Sequence, residues 1–203
     1  MVIASQTNTK KHSTPLIAFV GFLSQSGRTH CKTKKMSLGI TTCLLFNNEA
    51  GDAADFYVSV FAPNSRIITR QHYSKAGQEM HGQEPGSVLL VEFELGGRRF
   101  VALNGGTSAS TPPRGFNESV SFQVDCADQA EVDRFWDKLS ADPAREQCSW
   151  LADKYGVSWQ IVPKRMKEML AAEDRAAADR AMVAMMGMKK LDIAALEKAF
   201  AGE

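Results

Sequence analysis

The chain has no C-x-x-C pair and no Cys/His cluster at zinc spacing. It also has no long apolar run, and no G-x-G that opens a helix after a strand. Each gap removes a class of function. Its four cysteines, Cys31, Cys43, Cys126 and Cys148, are too scattered to hold zinc and read as free thiols in a reducing, cytoplasmic setting. The longest apolar stretch, Leu16–Leu23, is far short of the roughly 20 residues a membrane helix needs, so no membrane partner is expected. Gly96-Gly97 and Gly105-Gly106 do not make a dinucleotide or S-adenosylmethionine fingerprint, and no cofactor is expected. Basic clustering is missing from the body, which excludes a nucleic-acid face.

What is present begins with an uneven charge. Residues 1–35 carry six bases (Lys10, Lys11, Arg28, Lys32, Lys34 and Lys35) and no acid. The other 18 bases face all 23 acids, so residues 36–203 carry −5. Lys10 and Lys11 ahead of an apolar run imitate a signal peptide, but Ser24-Gln25-Ser26-Gly27-Arg28 is a poor cleavage region. Amphipathic patterning starts only after Met36, so residues 1–35 are expected to be a non-structural leader. With 44% hydrophobic residues, the remainder can bury a core.

Ile40–Phe46 reads as a strand. Asn47, Asn48 and Glu49 then mark a helix start, and Ala53, Phe56, Tyr57 and Val60 fall on one helical face. Pro63-Asn64 ends that helix. Ser65–Tyr73 is a strand, 74–86 a loop, and Val88–Leu95 with Arg98–Leu103 a hairpin about Gly96-Gly97. After a linker at 104–115 the pattern repeats. Phe116–Val124 is a strand, Asp128 with Glu131 suits a capping box, and Val132, Phe135, Trp136 and Leu139 share a helical face. A shift of 79 residues lays Thr42 on Ser121 and the Phe56-Tyr57 pair on Phe135-Trp136. Residues 142–162 supply shorter strands, the last carrying Gln160. Beyond Pro163, three helices over 164–172, 174–188 and 192–201 present Met182, Met185 or Met186, Leu191, Leu196 and Phe200 for packing on the sheet or a second subunit. The expected class is α+β, with paired βαβββ modules at 36–104 and 116–163 and a helical extension at 164–203.

Several segments carry a resemblance. They are F-Y-V-S-V-F at 56–61, F-V-A-L-N-G-G at 100–106, S-F-Q-V-D at 121–125, W-L-A-D-K-Y-G-V-S-W-Q-I-V-P at 150–163 and M-K-K-L-D-I-A-A-L at 188–196. Together they resemble the PhnB-like branch of the vicinal oxygen chelate superfamily, which includes glyoxalase and bleomycin-resistance proteins and whose PhnB-like members are often labelled 3-demethylubiquinone-9 3-methyltransferase. The resemblance implies a curved mixed sheet around a cleft. Ser149 departs from it, since that branch usually has Gly before the Trp.

Enzymes of the superfamily typically hold a divalent metal with His or Glu from the first and last strands of each module. Counting 14 residues back from Phe56 and Phe135 gives Thr42 and Ser121; counting four on from Gly97 and Gly156 gives Val101 and Gln160. None is a strong divalent ligand, so no bound metal is expected. The resemblance then implies Thr42, Ser121 and Gln160 as ligand-binding groups converging in the cleft, with Asn104 either a turn residue or a pocket amide and Trp159 packed on the helices. His72 and His81 read as solvated loop residues, and Asp125 and Asp128 as caps. Two functions stay open: a metal-free protein that binds a small metabolite, with a second copy in a homodimer as its expected partner, or an enzyme acting on a small polar or quinone-like substrate.

Overall fold

The computed structural model describes residues 39–105 and 115–203. The expected leader and most of the 104–115 linker lie outside the described residues. The first module runs β1 (Thr42–Phe46), α1 (Ala50–Val60), β2 (Ser65–His72), α2 (Gln78–His81), β3 (Val88–Leu95) and β4 (Arg98–Asn104). Its sheet is ordered β1-β4-β3-β2, with β1 parallel to β4 and the other pairs antiparallel. Gly96 and Gly97, at φ 53° and 81°, give the left-handed turn that a two-residue hairpin between twisted strands requires. The 74–86 segment is not all loop. Its α2 is a single turn bracketed by left-handed Gly77 and Gly82.

The second module holds β5 (Ser121–Cys126), α3 (Gln129–Leu139), β6 (Trp150–Ala152) and β7 (Ser158–Pro163), in the order β5-β7-β6. Its opening strand starts at Ser121 rather than Phe116 and runs to Cys126. This module also has one strand fewer than the first. Where a further strand would lie, Pro143–Arg145 form a 3₁₀ turn that Asp142 caps by accepting from the Ala144 N–H. Proline removes a ladder donor and the Asp side chain rewards a local turn, so only an isolated Gln147–Trp150 bridge survives. The capping box on α3 forms with one variation. Asp128 accepts from Glu131 N, but Glu131 reaches past the cap residue to Ala127 N.

The two modules share one core, with α1 and α3 packed on the inner faces of the sheets. Tyr57 of α1 meets Trp159 of β7 at 5.6 Å, Phe61 meets Phe135 of α3 at 5.1 Å, and Phe100 meets Phe122 at 5.3 Å between ring centroids. All four apolar residues expected on α3 are buried. On α1, Ala53, Tyr57 and Val60 are buried and Phe56 is half-buried. The helical extension comprises α4 (Lys164–Leu170), α5 (Arg175–Met186) and α6 (Ile193–Ala201). These build a second cluster with Val162, Leu191 and Leu196, but the buried methionines there are Met166 and Met169. Of the methionines expected to pack on α5, Met185 does so, as does Phe200 on α6, whereas Met182 and Met186 are exposed.

Between the modules sits a buried carboxylate, Asp153, at 3% exposure. Its Oδ2 accepts from the Tyr57 hydroxyl (2.9 Å) and the Trp159 indole N–H (2.8 Å). Its Oδ1 accepts from the backbone N–H groups of Tyr155 (2.9 Å) and Val157 (3.0 Å), which folds the Asp153–Val157 turn about left-handed Gly156. Burial pushes the carboxyl above the usual carboxylate range, against the pull of these four donors. The same burial, with Asp153 beside it, raises the Tyr57 phenol.

Asp153→Ala strands several donors inside the core and should lower stability by about 3 kcal/mol or more. Tyr57→Phe removes one hydrogen bond to a charged acceptor and should cost about 1.5–3 kcal/mol. Urea denaturation of the two variants measures the order; an Asp153→Ala chain as stable as the parent would remove Asp153 from this central role.

Candidate functional site

Successive strand residues face opposite sides of a sheet, so the buried positions sort the expected site residues. In β5 the core side carries Phe122, Val124 and Cys126, leaving Ser121, Gln123 and Asp125 on the other face. In β7 the core side carries Trp159 and Ile161, so Gln160 and Ser158 share the face of Ser121. There Gln160 Nε2 donates to Ser121 Oγ at 2.8 Å. These two expected residues are brought together, and Trp159 packs inward at 3% exposure.

Thr42 does not join them. In β1 the buried residues are Leu44 and Phe46, which puts Thr42 on the core side beside its register partner Phe100. The first-module residue equivalent to Ser121 on the outer face is Thr41, with Val101 in the place of Gln160. The cause is a single residue. Three residues separate β1 from α1 but only two separate β5 from α3, so helices that align at a shift of 79 leave their strands aligned at 80.

Asn104 serves the scaffold. Its Oδ1 accepts from Ala50 N at 2.8 Å, at the start of α1, where Glu49 makes no side-chain cap. Its Nδ2 donates to the Val88 carbonyl at 2.9 Å, and its own carbonyl accepts from the Tyr73 hydroxyl at 2.8 Å. Asp128 caps α3, whereas Asp125 is not a cap. It accepts from Gln123 and pairs with Lys167 on α4, which holds its carboxyl below the usual range. His81 stacks against Tyr73 and its Nδ1 accepts from Gln83 N, so its ring is engaged within its own loop. Burial pushes the Cys126 thiol up to about 12, which makes it a poor nucleophile.

Two cavities lie on the strands that carry Ser121 and Gln160 or on their neighbours. One, of about 610 Å³, follows the unpaired edge of β5 and is lined by Ser121, Asp125, Arg98, Phe100 and Phe122. The other, of about 480 Å³, lies over the outer face, walled by Trp150, Ser158, Arg145, Gln147, Cys148 and Glu118. Register ties this second cavity to the pair, because Trp150 lies opposite Gln160 and Ser158 opposite Ser121. Arg145 is the cation in its wall. Its guanidinium donates to the Gly156 carbonyl (3.1 Å) and to Ser158 Oγ (3.0 Å), while Ser158 itself is 2% exposed.

Sequence reasoning missed Arg145, which stands in an aperiodic stretch after Pro143. It also missed the partners of Asp153, although the Asp three residues before Gly156 is a legible turn signal.

The rim of this cavity is a strained turn. Cys148 and Ser149 both have positive φ, 48° and 76°, and Gln147 and Trp150 exchange backbone hydrogen bonds around them. The turn points the Cys148 and Ser149 N–H groups at the carbonyls of Met188 and Lys189, both at 2.9 Å. Gln147 Nε2 adds a bond to Met186 O at 2.8 Å. The helical extension is thereby fastened to the edge of the cavity.

A family profile described as 3-demethylubiquinone-9 3-methyltransferase matches residues 38–162. No curated protein matches the chain. Among solved structures, the chain is similar to a putative 3-demethylubiquinone-9 3-methyltransferase, PhnB protein, from Bacillus cereus. The two are 30% identical over 61% of this chain and 98% of that one, with a TM-score of 0.47. A protein of Pseudomonas aeruginosa is similar at 18% identity over 63% and 98%, with a TM-score of 0.45. A lactoylglutathione lyase from Agrobacterium tumefaciens follows at 18% identity over 64% and 96%, with a TM-score of 0.35.

Ser149→Gly should relieve the left-handed strain, offset in part by the greater freedom of glycine in the unfolded chain, for a net gain of about 0.5–1 kcal/mol. Calorimetry should register a melting temperature higher by about 1–4 °C. Ser149→Val, β-branched at the same φ, should melt lower than the parent.

Proposed function

Because the chain belongs to the 3-demethylubiquinone-9 3-methyltransferase family, we propose that it binds a small metabolite in a metal-free cleft on the outer, Gln160-bearing face of the β5-β7-β6 sheet. The observation that carries this reading is the Gln160–Ser121 hydrogen bond, 2.8 Å long, whose register neighbours Trp150 and Ser158 line an open cavity. An amide and a hydroxyl that already satisfy one another are neutral, and each keeps spare donor or acceptor capacity for a ligand.

The same donor set does not fit a divalent ion, which prefers imidazole or carboxylate. Among the described residues, no group of three or more His, Cys, Asp or Glu side chains gathers anywhere. The first module offers Thr41 and Val101 at the corresponding outer-face positions, a hydroxyl and a hydrocarbon. Methyl transfer, which the family's description names, would call for a cofactor cradle. The turns into α1 and α3 read Asn47-Asn48-Glu49 and Ala127-Asp128, without the glycines that would let a cofactor approach the backbone. Binding is therefore the function these groups support best.

The cleft is one-sided in a single chain, and Val120 and Ile40 are exposed apolar residues near the starts of β5 and β1. A second copy supplying the opposite wall completes the reading, as a homodimer.

Elemental analysis of the purified protein is expected to find no stoichiometric zinc, nickel, iron or manganese; one tightly held ion per chain would overturn the metal-free reading. Gln160→Leu keeps roughly the same volume and removes both polar functions, so it should weaken a bound ligand by about 1–3 kcal/mol while leaving the melting temperature close to the parent's. Light scattering at micromolar concentration should return twice the 22.2 kDa of the chain, and a monomer would end the two-chain cleft.

A further inference from the structure

We propose that Arg145 is a carboxylate anchor, and that the ligand of the outer-face cavity is a small planar acid whose ring lies against Trp150. The proposal rests on the reading of that cavity as a binding site and names the ligand class it would take.

Four observations converge on it. First, Arg145 is fixed in place. Its guanidinium is tethered through Nη1 to the Gly156 carbonyl and through Nη2 to Ser158 Oγ, and both partners belong to the turn and strand that Asp153 organises. Second, it is not used up. Among the described residues, these are the hydrogen bonds it makes to protein, two of the five that a guanidinium can donate. The nearest acid, Glu118, is 3.9 Å from Nη2, too far for a hydrogen bond, and its side chain is 77% exposed. A planar fork with donors left over matches the two oxygens of a carboxylate.

Third, an aromatic side chain shares the lining with Arg145. Trp136 and Trp159 are buried in the core, whereas Trp150 is partly exposed and lines the cavity. Fourth, apart from Arg145 and the exposed Glu118 the lining is neutral and partly polar, with Gln147, Cys148 and Ser158 beside Trp150. Cation, ring face and neutral polar lining together describe an acid of about benzoate size, which a cavity of about 480 Å³ accommodates with room for substituents.

Benzoate and its neutral isostere benzamide are the probes, read by fluorescence of the native chain, in which Trp150 is the accessible indole. Benzoate should quench saturably, and benzamide should bind at least tenfold more weakly. Glu118→Gln removes the one acid near the guanidinium from an exposed site. It should tighten benzoate roughly fivefold, the effect of a single partly solvated charge at this range, and leave benzamide unchanged. Arg145→Lys keeps the charge but loses the fork, and should weaken benzoate about tenfold or more.

Equal affinity for the two probes, no saturable quenching by benzoate, or no gain in Glu118→Gln would overturn the assignment. The parent chain and Glu118→Gln suffice for this, even if Arg145→Lys folds poorly. A metal-free chain indifferent to benzoate removes the Arg145 anchor alone. Stoichiometric metal in the purified protein removes the underlying reading of the cleft.

Discussion

Asp153 is the constraint on which the rest of the structure depends. A carboxylate in the core is destabilising unless its acceptor capacity is met. Here it is met from both modules and from its own turn: Tyr57 from α1, Trp159 from β7, and two backbone N–H groups from the loop between β6 and β7. The Tyr57 bond ties the first module's helix to the second module's sheet, and the two backbone bonds close the Asp153–Val157 turn. They also fix where Gly156 lies, and the Gly156 carbonyl in turn helps hold Arg145. The most recognisable stretch of the chain, Trp150 to Pro163, is thus distinctive mainly for structural reasons. Its Asp, Gly and second Trp hold the scaffold, and Gln160 follows that Trp on the face turned away from the core.

Most of the fold is legible in the amino-acid order because its signals are redundant. The 3.6-residue spacing of Val132, Phe135, Trp136 and Leu139 needs no tertiary information, nor does the Gly96-Gly97 turn. Both helices and both long strands of the first module's hairpin follow from such local rules. The residues that sequence reading displaced fail for an equally definite reason. A strand changes face with every residue, so an error of one in a strand-to-helix connection reverses the assignment completely. The repeat, aligned on helices that tolerate no slip, carries Thr42 onto Ser121, yet the extra residue between β1 and α1 turns Thr42 inward. Ser121 and Gln160 survive the same test because both were counted within the module where the spacing holds. Asn104 was legible as an amide at a strand end, but only the tertiary arrangement reveals that the uncapped start of α1 lies within reach of it.

The helical extension shows the limit of composition as a guide. Its methionines are numerous, but those on α4 and Met185 on α5 pack on the cluster while Met182 and Met186 on α5 face outward. What attaches the extension is largely backbone. The left-handed Cys148-Ser149 turn turns its amides toward Met188 and Lys189, and Gln129 on α3 both donates to Leu191 O and accepts from Ile193 N. Serine at a left-handed φ is tolerated because those bonds over-determine the turn, and their loss would release the segment that joins α5 to α6.

The two faces of the second sheet therefore answer to different pressures. On the inner face, Phe122, Trp159 and Ile161 belong to a core whose rings interlock across both modules, and any change of volume there is felt throughout. On the outer face, Ser121 and Gln160 satisfy each other and bear no packing duty, so a metal-binding pair could be exchanged for a neutral one without disturbing the fold. Ser158 breaks that symmetry. It lies on the outer face yet is buried, and it holds Arg145 against the turn that Asp153 forms. The cation at the cavity is consequently positioned by the scaffold, while the exposed Glu118 and the neutral groups beside it are free to vary. Such a division fixes where an acid would be held and leaves the shape of the rest of the ligand to a few exchangeable side chains.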